Sequence, residues 1–130
     1  MATQPITYPD QSKGDIVTND ILLAKWTLGN GDNGAALKGG NFSDQNIHFH
    51  GTFSTGGSVQ LRGSNMETPD PADASHWFIV RTAHDGSDIS GVTTFYGAVI
   101  LESVLWLSPL CTAGDGSTAI ECSIKSNKRK

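Results

Sequence analysis

The feature that most constrains the fold of this chain is a set of short segments in which apolar and polar residues alternate. Apolar side chains occupy every second position in 22–28, and the same period recurs in 118–124. Because successive side chains of a β-strand point to opposite faces of a sheet, this period predicts strands with one buried face. The segment 47–53 predicts a third such strand, with His48 and His50 on the opposite face.

Other segments predict strands by the same argument with less regular patterns. A strand around Leu61 is predicted to turn Arg62 outward. The segment 76–82 is apolar on both faces and predicts a strand that is covered on each side, and 99–107 predicts one long strand. The segment 35–38 would form one helical turn at most. No segment keeps a helical period over ten residues.

The residues between the alternating segments are those that form turns. Glycine, serine, threonine and asparagine make up 47 of the 130 residues, and they separate strands rather than extend them. The chain has the length of one domain. Its short alternating segments and the turns between them predict an all-β fold, an antiparallel β-sandwich or jelly roll of about six to eight short strands. This domain is assigned to 20–124, with an extended N-terminal arm at 1–19 and a basic C-terminal tail at 125–130.

Charge is distributed unevenly along the chain. The formal net charge is −4, but four of the nine basic residues lie among the last six positions, which leaves −8 on the remainder. An acidic body argues against a nucleic-acid partner. The sequence contains no run of 18 apolar residues and no signal-peptide pattern, so we expect no membrane partner and synthesis in the cytoplasm.

Motif searches give no support for catalysis or for a cofactor. The segment 29–34 fits G-x-G-x-x-G, but a dinucleotide site needs a following helix whose N-terminus holds the phosphates. The segment is therefore interpreted as a glycine-rich turn. No nucleophile elbow, zinc-protease motif, P-loop or C-x-x-C pair occurs. We therefore expect a protein that is not an enzyme and that binds no cofactor.

His48 and His50 are weak candidates for a metal site. Two imidazoles on one strand face have a spacing that zinc enzymes use, but a third ligand is required. A threefold axis would bring three such pairs together. The simpler interpretation is two polar side chains on a solvated face, and no metal is expected.

The cysteines and tryptophans are expected in the core. Cys111 and Cys122 are predicted to be free, because a hairpin tip at 114–116 would hold them too far apart for a disulfide. Trp26, Trp77 and Trp106 lie on predicted strands with apolar neighbours, which favours burial over a role as exposed stacking platforms for carbohydrate. All three tryptophans are therefore predicted to belong to the core.

Two stretches of the chain carry a resemblance to a known class of proteins. In the first, 57–65 ends a strand with Gly-Ser-Asn, and a polar loop and a strand led by Trp77 follow. In the second, 107–109 and 113–118 precede an alternating strand and a basic terminus. Over roughly 47–130 this pattern resembles small all-β virion structural proteins of tailed bacteriophages. Within that resemblance, the last two strands form a hairpin.

The resemblance implies a capsid decoration, or cement, protein that binds the assembled shell and stabilises it by bridging neighbouring subunits. The implied partner is the major capsid protein, the implied location is the capsid surface of the virion, and the implied assembly is a homotrimer. The alternatives are a tail, fibre or head–tail junction protein, or a β module that binds carbohydrate or a receptor.

Partner-binding candidates are expected on the terminal segments and on two polar loops, since arms that order on docking cover a large surface. They are Ile6, Tyr8, Pro9, Met66, Asp70, Asp85, Asp88, Lys128 and Arg129. Met66 departs from the pattern of the class, in which an acidic residue continues the turn.

Overall fold

Two β-sheets build the described part of the chain. The structure, a computed structural model, describes residues 2–8, 21–39 and 42–128. The strands within these ranges are β1 (Thr3–Gln4), β2 (Ile21–Leu28), β3 (Asn33–Gly34), β4 (Leu37–Lys38), β5 (Phe42–Thr52), β6 (Ser58–Ser64), β7 (Phe78–Ile79), β8 (Tyr96–Val99), β9 (Trp106–Ala113) and β10 (Ala119–Lys128), and a 3-10 helix spans Ala74–His76.

The strands are arranged as a sandwich. One sheet has four strands in the order β2-β10-β5-β8. The other has six, with β1-β3-β9-β6-β7 as neighbours and β4 also paired with β9. The pairings among these strands are antiparallel except that of β1 with β3. Buried apolar side chains from both sheets form one core, so the predicted all-β sandwich class is confirmed.

Strand β10 occupies the middle of the four-stranded sheet. It pairs with β2 on one side and with β5 on the other. Its residue Cys122 lies opposite Trp26 and Phe49, and all three are buried. The predicted inward faces of the three strands are therefore confirmed. A slip of one residue would turn these side chains to solvent, so the alternation fixes the register of the sheet.

The last two strands do not form the expected hairpin. Strand β9 belongs to the six-stranded sheet and β10 to the four-stranded sheet. In the turn between them, Thr118 N donates to Asp115 O at 3.2 Å. The turn thus carries the chain from one sheet to the other, which alternation within each strand does not reveal.

The two cysteines are free and buried, as predicted, although the hairpin argument that led to the prediction was wrong. Each lies on the core side of a different sheet. Burial raises the pKa of the Cys122 thiol well above its usual value. Both thiols therefore act as small apolar groups in the core.

The prediction of one long strand at 99–107 is wrong. The chain leaves the four-stranded sheet after Val99 and enters the six-stranded sheet at Trp106. Ile100 and Val104 stay buried along this connection. The apolar pattern therefore continues where strand pairing does not, because a corner between two sheets also faces the core.

Two shorter segments also differ from their predicted conformations. The segment 76–82 contributes only the two-residue strand β7, and Phe78 is 42% exposed, so this strand is not covered on both faces. The segment 35–38 does not form a helical turn, because its last two residues form β4 and pair with β9.

Parts of both terminal segments form strands of the sandwich, although the sequence predicts an arm and a tail there. Strand β1 pairs with β3, so residues 2–8 do not extend away from the body as the predicted arm at 1–19 would. The remainder of that arm, 9–19, lies outside the described residues. At the other end β10 continues to Lys128, so the predicted tail at 125–130 begins inside a strand. The last two residues of the tail also lie outside the described ranges.

Gly34 lies in close contact with a side chain from each sheet, Trp26 on β2 and Pro109 on β9. A Cβ atom there would lie 2.7 Å from Trp26 Cδ1 and 2.7 Å from Pro109 Cδ. We expect Gly34→Ala to lower the free energy of unfolding by about 1 to 3 kcal/mol, since overpacking displaces the neighbouring groups. Urea unfolding measures the effect. Gly116→Ala is the control, because its added Cβ would have no atom within 4 Å, and equal losses in the two variants would contradict the prediction.

Candidate functional site

Arg62 on β6 is buried, with an exposed fraction of 4%, so the prediction that it faces outward is wrong. Its guanidinium donates to Ser108 Oγ at 2.8 Å, to Ser108 O at 3.4 Å and to Pro71 O at 3.2 Å. The guanidinium carbon lies 5.0 Å from the centre of the Trp77 ring. Burial lowers the pKa of Arg62 to about 10. Arg62 thereby attaches the loop at 66–77 to the six-stranded sheet.

The loop at 66–77 is also held by its own polar groups. The Asp73 carboxylate accepts from Ser75 N at 3.0 Å and from Ser75 Oγ at 2.7 Å, and these hydrogen bonds lower the pKa of Asp73. His76 Nδ1 accepts from Asp70 N at 2.9 Å, and Nε2 lies 3.2 Å from Asp73 Oδ2. The two ring nitrogens of His76 thus contact two different residues of the same loop.

Two exposed apolar side chains lie at the two ends of this loop. Met66 and Phe78 are 43% and 42% exposed, and they border a groove of about 400 Å³ that Trp77 also lines. Trp77 itself is half-buried, with its Nε1 donating to Asp70 O at 2.8 Å. Trp26 is buried as predicted and Trp106 is half-buried.

Removing the Arg62 guanidinium should release this loop. We expect Arg62→Met to lower the free energy of unfolding by about 2 kcal/mol, since Ser108 and Pro71 lose a donor in a buried position. The tryptophan emission of the folded variant should shift to longer wavelength as Trp77 becomes more exposed. Chemical unfolding and fluorescence measure both effects. Gln60→Met, two residues earlier on the same strand face, is the control, and unchanged stability in Arg62→Met would contradict the assignment.

A cleft of about 740 Å³ lies between β8 and the loop at 82–88. On the strand side it is lined by Tyr96 and Ala98, which are partly buried against the core. On the loop side it is lined by Asp85 and Asp88. The Asp85 carboxylate accepts from Ser87 Oγ at 2.7 Å and from Ser87 N at 3.0 Å, and these bonds lower the pKa of Asp85.

An ion pair joins Arg81, which precedes the 82–88 loop, to Glu102, which follows β8. Arg81 N donates to Glu102 Oε1 at 2.8 Å, and Arg81 Nε donates to Glu102 Oε2 at 2.7 Å. Burial acts to raise the pKa of Glu102, but the hydrogen bonds from Arg81 outweigh it and hold that pKa below its usual value. The pair therefore attaches the beginning of the 82–88 loop to the chain that follows β8.

The Arg81–Glu102 pair predicts a pH-dependent contribution to stability. A carboxyl whose pKa is lower in the folded state stabilises the fold above its unfolded pKa of about 4.3, and this stabilisation is lost as pH falls through the folded pKa. We expect Glu102→Gln to be less stable than the wild type at pH 7, with the difference shrinking below about pH 4. Urea midpoints at pH 7, 5 and 3 test this, with the exposed Glu67→Gln as control. A difference that is constant with pH would contradict the prediction.

The two candidate metal ligands lie on the outer face of the four-stranded sheet. The His48 and His50 ring centres are 4.7 Å apart, and His50 Nδ1 lies 3.3 Å from Glu121 Oε2. Glu121 also forms an ion pair with Lys25, whose hydrogen bond lowers the pKa of Glu121. In residues 2–8, 21–39 and 42–128 no group of three His, Cys, Asp or Glu side chains is arranged to hold a metal ion. A metal on a threefold axis stays a hypothesis.

Asp32 organises the N-terminal segment, a role that the sequence analysis missed. Its carboxylate accepts from Gln4 Nε2 at 2.9 Å, from Gly29 N at 2.9 Å and from Ala2 N at 3.2 Å. The glycine-rich turn at 29–34 therefore receives β1. The G-x-G-x-x-G pattern indicates the turn, but no local signal identifies a partner 28 or 30 positions away.

The predicted partner-binding residues lie in separate regions. Ile6 is partly buried against the core, and Tyr8 is 40% exposed. The segment that carries them lies beside β2, where Thr7 pairs with Lys25. Asp85 and Asp88 lie beside β8, at the opposite edge of the same sheet.

The other candidates are also dispersed. Met66 and Asp70 are exposed on the loop at 66–77. Lys128 ends β10, and Pro9 and Arg129 lie outside the described residues. None of the helices in the described ranges has the length and apolarity needed to cross a membrane.

The architecture defines a small all-β sandwich protein. The sequence matches no protein-family model and no curated protein. Among solved structures the chain is similar to the SPBc2 prophage-derived protein YomS, with a TM-score of 0.55 and 10% identity, covering 88% of this chain and 100% of YomS. A cupin domain from Bordetella pertussis aligns with a TM-score of 0.48 and 7% identity, covering 98% and 96% of the two chains. At 10% identity the YomS comparison bears on the fold alone.

Proposed function

We propose that this chain is a non-enzymatic structural protein of a tailed-phage particle and that it decorates the capsid. The observation that carries the proposal is the similarity of fold over the full length of YomS, a prophage-derived protein. The sequence resemblance to small virion proteins at 57–65, 107–109 and 113–118 points in the same direction. The partner is the major capsid protein, and the assembled form is a homotrimer on the outer surface of the shell.

The surface of the sandwich supports a role in assembly. Among the described residues, large apolar side chains are exposed at seven positions, which are Tyr8, Met66, Phe78, Phe95, Val99, Leu101 and Leu105. Phe95 is 70% exposed, and its neighbours in the chain lead directly into the edge strand β8. A partner that covered these side chains would remove their apolar area from water, which favours association. A repeating shell would multiply many weak contacts of such a surface into firm attachment.

The proposal predicts where the protein lies and what its loss does. Antibody labelling and cryo-electron microscopy of purified particles should locate the chain on the capsid shell. Particles that lack it should release DNA at a lower temperature than complete particles, because the shell loses the contacts that bridge its subunits. Adding the purified protein back to such particles should restore the release temperature.

Three results would count against the proposal to different extents. Absence of the chain from purified particles would overturn it entirely. Label confined to the tail would contradict capsid decoration and favour a tail or fibre protein. Native mass spectrometry of the released protein tests the trimer separately, and a monomeric mass both free and on the shell would contradict the homotrimer.

A further inference from the structure

Strand β8 is an edge strand whose outer side is only partly covered. It pairs with β5 on its inner side. On its outer side, Ala83 N donates to Val99 O and Leu101 N donates to Arg81 O, both at 2.8 Å. After Ala83 the chain turns away, with Gly86 N donating to Thr82 O. The first part of β8 is therefore left without a neighbouring strand among the described residues.

The register shows which main-chain groups this leaves unpaired. Ile100 N donates to Gln45 O, and Val99 lies opposite Asn46. Because antiparallel strands alternate between hydrogen-bonded and non-hydrogen-bonded pairs, residues 96, 98 and 100 bond to β5. The N–H and C=O of Gly97 therefore point away from β5, into the side on which the 740 Å³ cleft lies.

We propose that this cleft binds an extended segment of a partner protein, which adds a strand to the outer edge of β8. The main chain of the segment bonds to Gly97, its apolar side chains pack on Tyr96 and Ala98, and a lysine or arginine contacts Asp85 and Asp88. Edge strands bind extended peptides in this way in many proteins, with main-chain bonds giving affinity and side-chain contacts giving specificity. The identification of the segment as part of the capsid subunit rests on the proposed function, but the strand addition does not.

Charge determines the choice of a basic segment. Asp85 and Asp88 both line the cleft. The guanidinium of Arg81 is bonded to Glu102 and acts on Asp88 only through its charge, and His84, which also lines the cleft, acts in the same way on Asp85. Among the described side chains neither Asp85 nor Asp88 forms a direct ion pair. A cationic side chain from a partner would complete this arrangement, whereas an acidic one would be repelled.

The test uses labelled eight-residue peptides in which valine and threonine alternate. One peptide carries a central lysine, and a second carries glutamate at the same position. Fluorescence anisotropy measures their binding to the full chain. We expect the lysine peptide to bind more tightly than the glutamate peptide. A lysine peptide that is methylated on its backbone nitrogens lacks the required N–H groups and should bind at least about tenfold more weakly than the unmethylated lysine peptide.

Gly97→Pro tests the site on the protein. Proline removes the outward N–H at a position where β5 requires none, so the sheet is retained while affinity for the lysine peptide falls about tenfold. Gly97→Ala is the matched control, since its Cβ would lie 3.9 Å from Ile47 O and the N–H is kept. The paired change Asp85→Asn with Asp88→Asn should make the lysine and glutamate peptides bind equally. Circular dichroism and thermal unfolding establish that each variant is folded.

Several outcomes would overturn this inference. The first is that neither peptide binds the folded chain. The second is that the lysine peptide binds Gly97→Pro and Gly97→Ala equally well. The third is that the lysine peptide is still preferred after both aspartates have been replaced. Self-association of the wild type that Gly97→Pro abolishes would show that the occupant is a second copy of this chain. Peptide binding without capsid labelling would retain the strand-addition site and overturn only the proposed capsid function.

Discussion

The pairing of β10 with strands on both of its sides is the constraint on which the rest of the sandwich depends. Its buried residues Ile120, Cys122 and Ile124 exclude a shift of one residue against β2 or β5, because such a shift would expose them. With both sides of β10 occupied, β8 pairs with the other side of β5 and lies at the edge of the sheet. The cleft beside β8 is thus a consequence of how the centre of the sheet is paired.

The loops are held mainly by carboxylates that accept hydrogen bonds from nearby main-chain N–H groups. Asp32, Asp73, Asp85 and Asp115 each do so in a different turn. Much of the negative charge of the body is therefore used to build turns, in agreement with the preference of aspartate for such positions. The acidic composition is in this respect a property of the fold before it is a property of any partner surface.

The sequence allowed the fold class and the inward faces of β2, β5 and β10 to be predicted, because each of these strands has one buried face. It did not reveal that 99–107 turns a corner, since a corner that faces the core is as apolar as a strand. The burial of Arg62 was also hidden, because the groups that cover it come from a loop and from β9. Asp32 and β1 were missed for the same reason, since their contact is not local.

The candidate site shows a similar division. Asp85 and Asp88 could be selected from the sequence as polar loop residues. Their position opposite the incompletely paired strand β8 depends on the order of the strands in the sheet and on the path of the 82–88 loop. Gly97 carries no sequence signal at all, since its importance lies in the direction of its main-chain groups. Single-sequence patterns identify side chains with particular chemistry, whereas the unpaired backbone at an edge appears only when strand order is known.

The partial cover that Arg81 and Ala83 give to β8 has a consequence for solubility. A long uncovered edge in a protein made at high concentration would allow one molecule after another to stack into fibrils. Here the ladder is interrupted after Val99 O and Leu101 N have been bonded within the chain, so only a short stretch of backbone stays free. Such a stretch is too short to propagate a continuous cross-β stack, and the sandwich can keep an accessible edge without that edge becoming a route to aggregation.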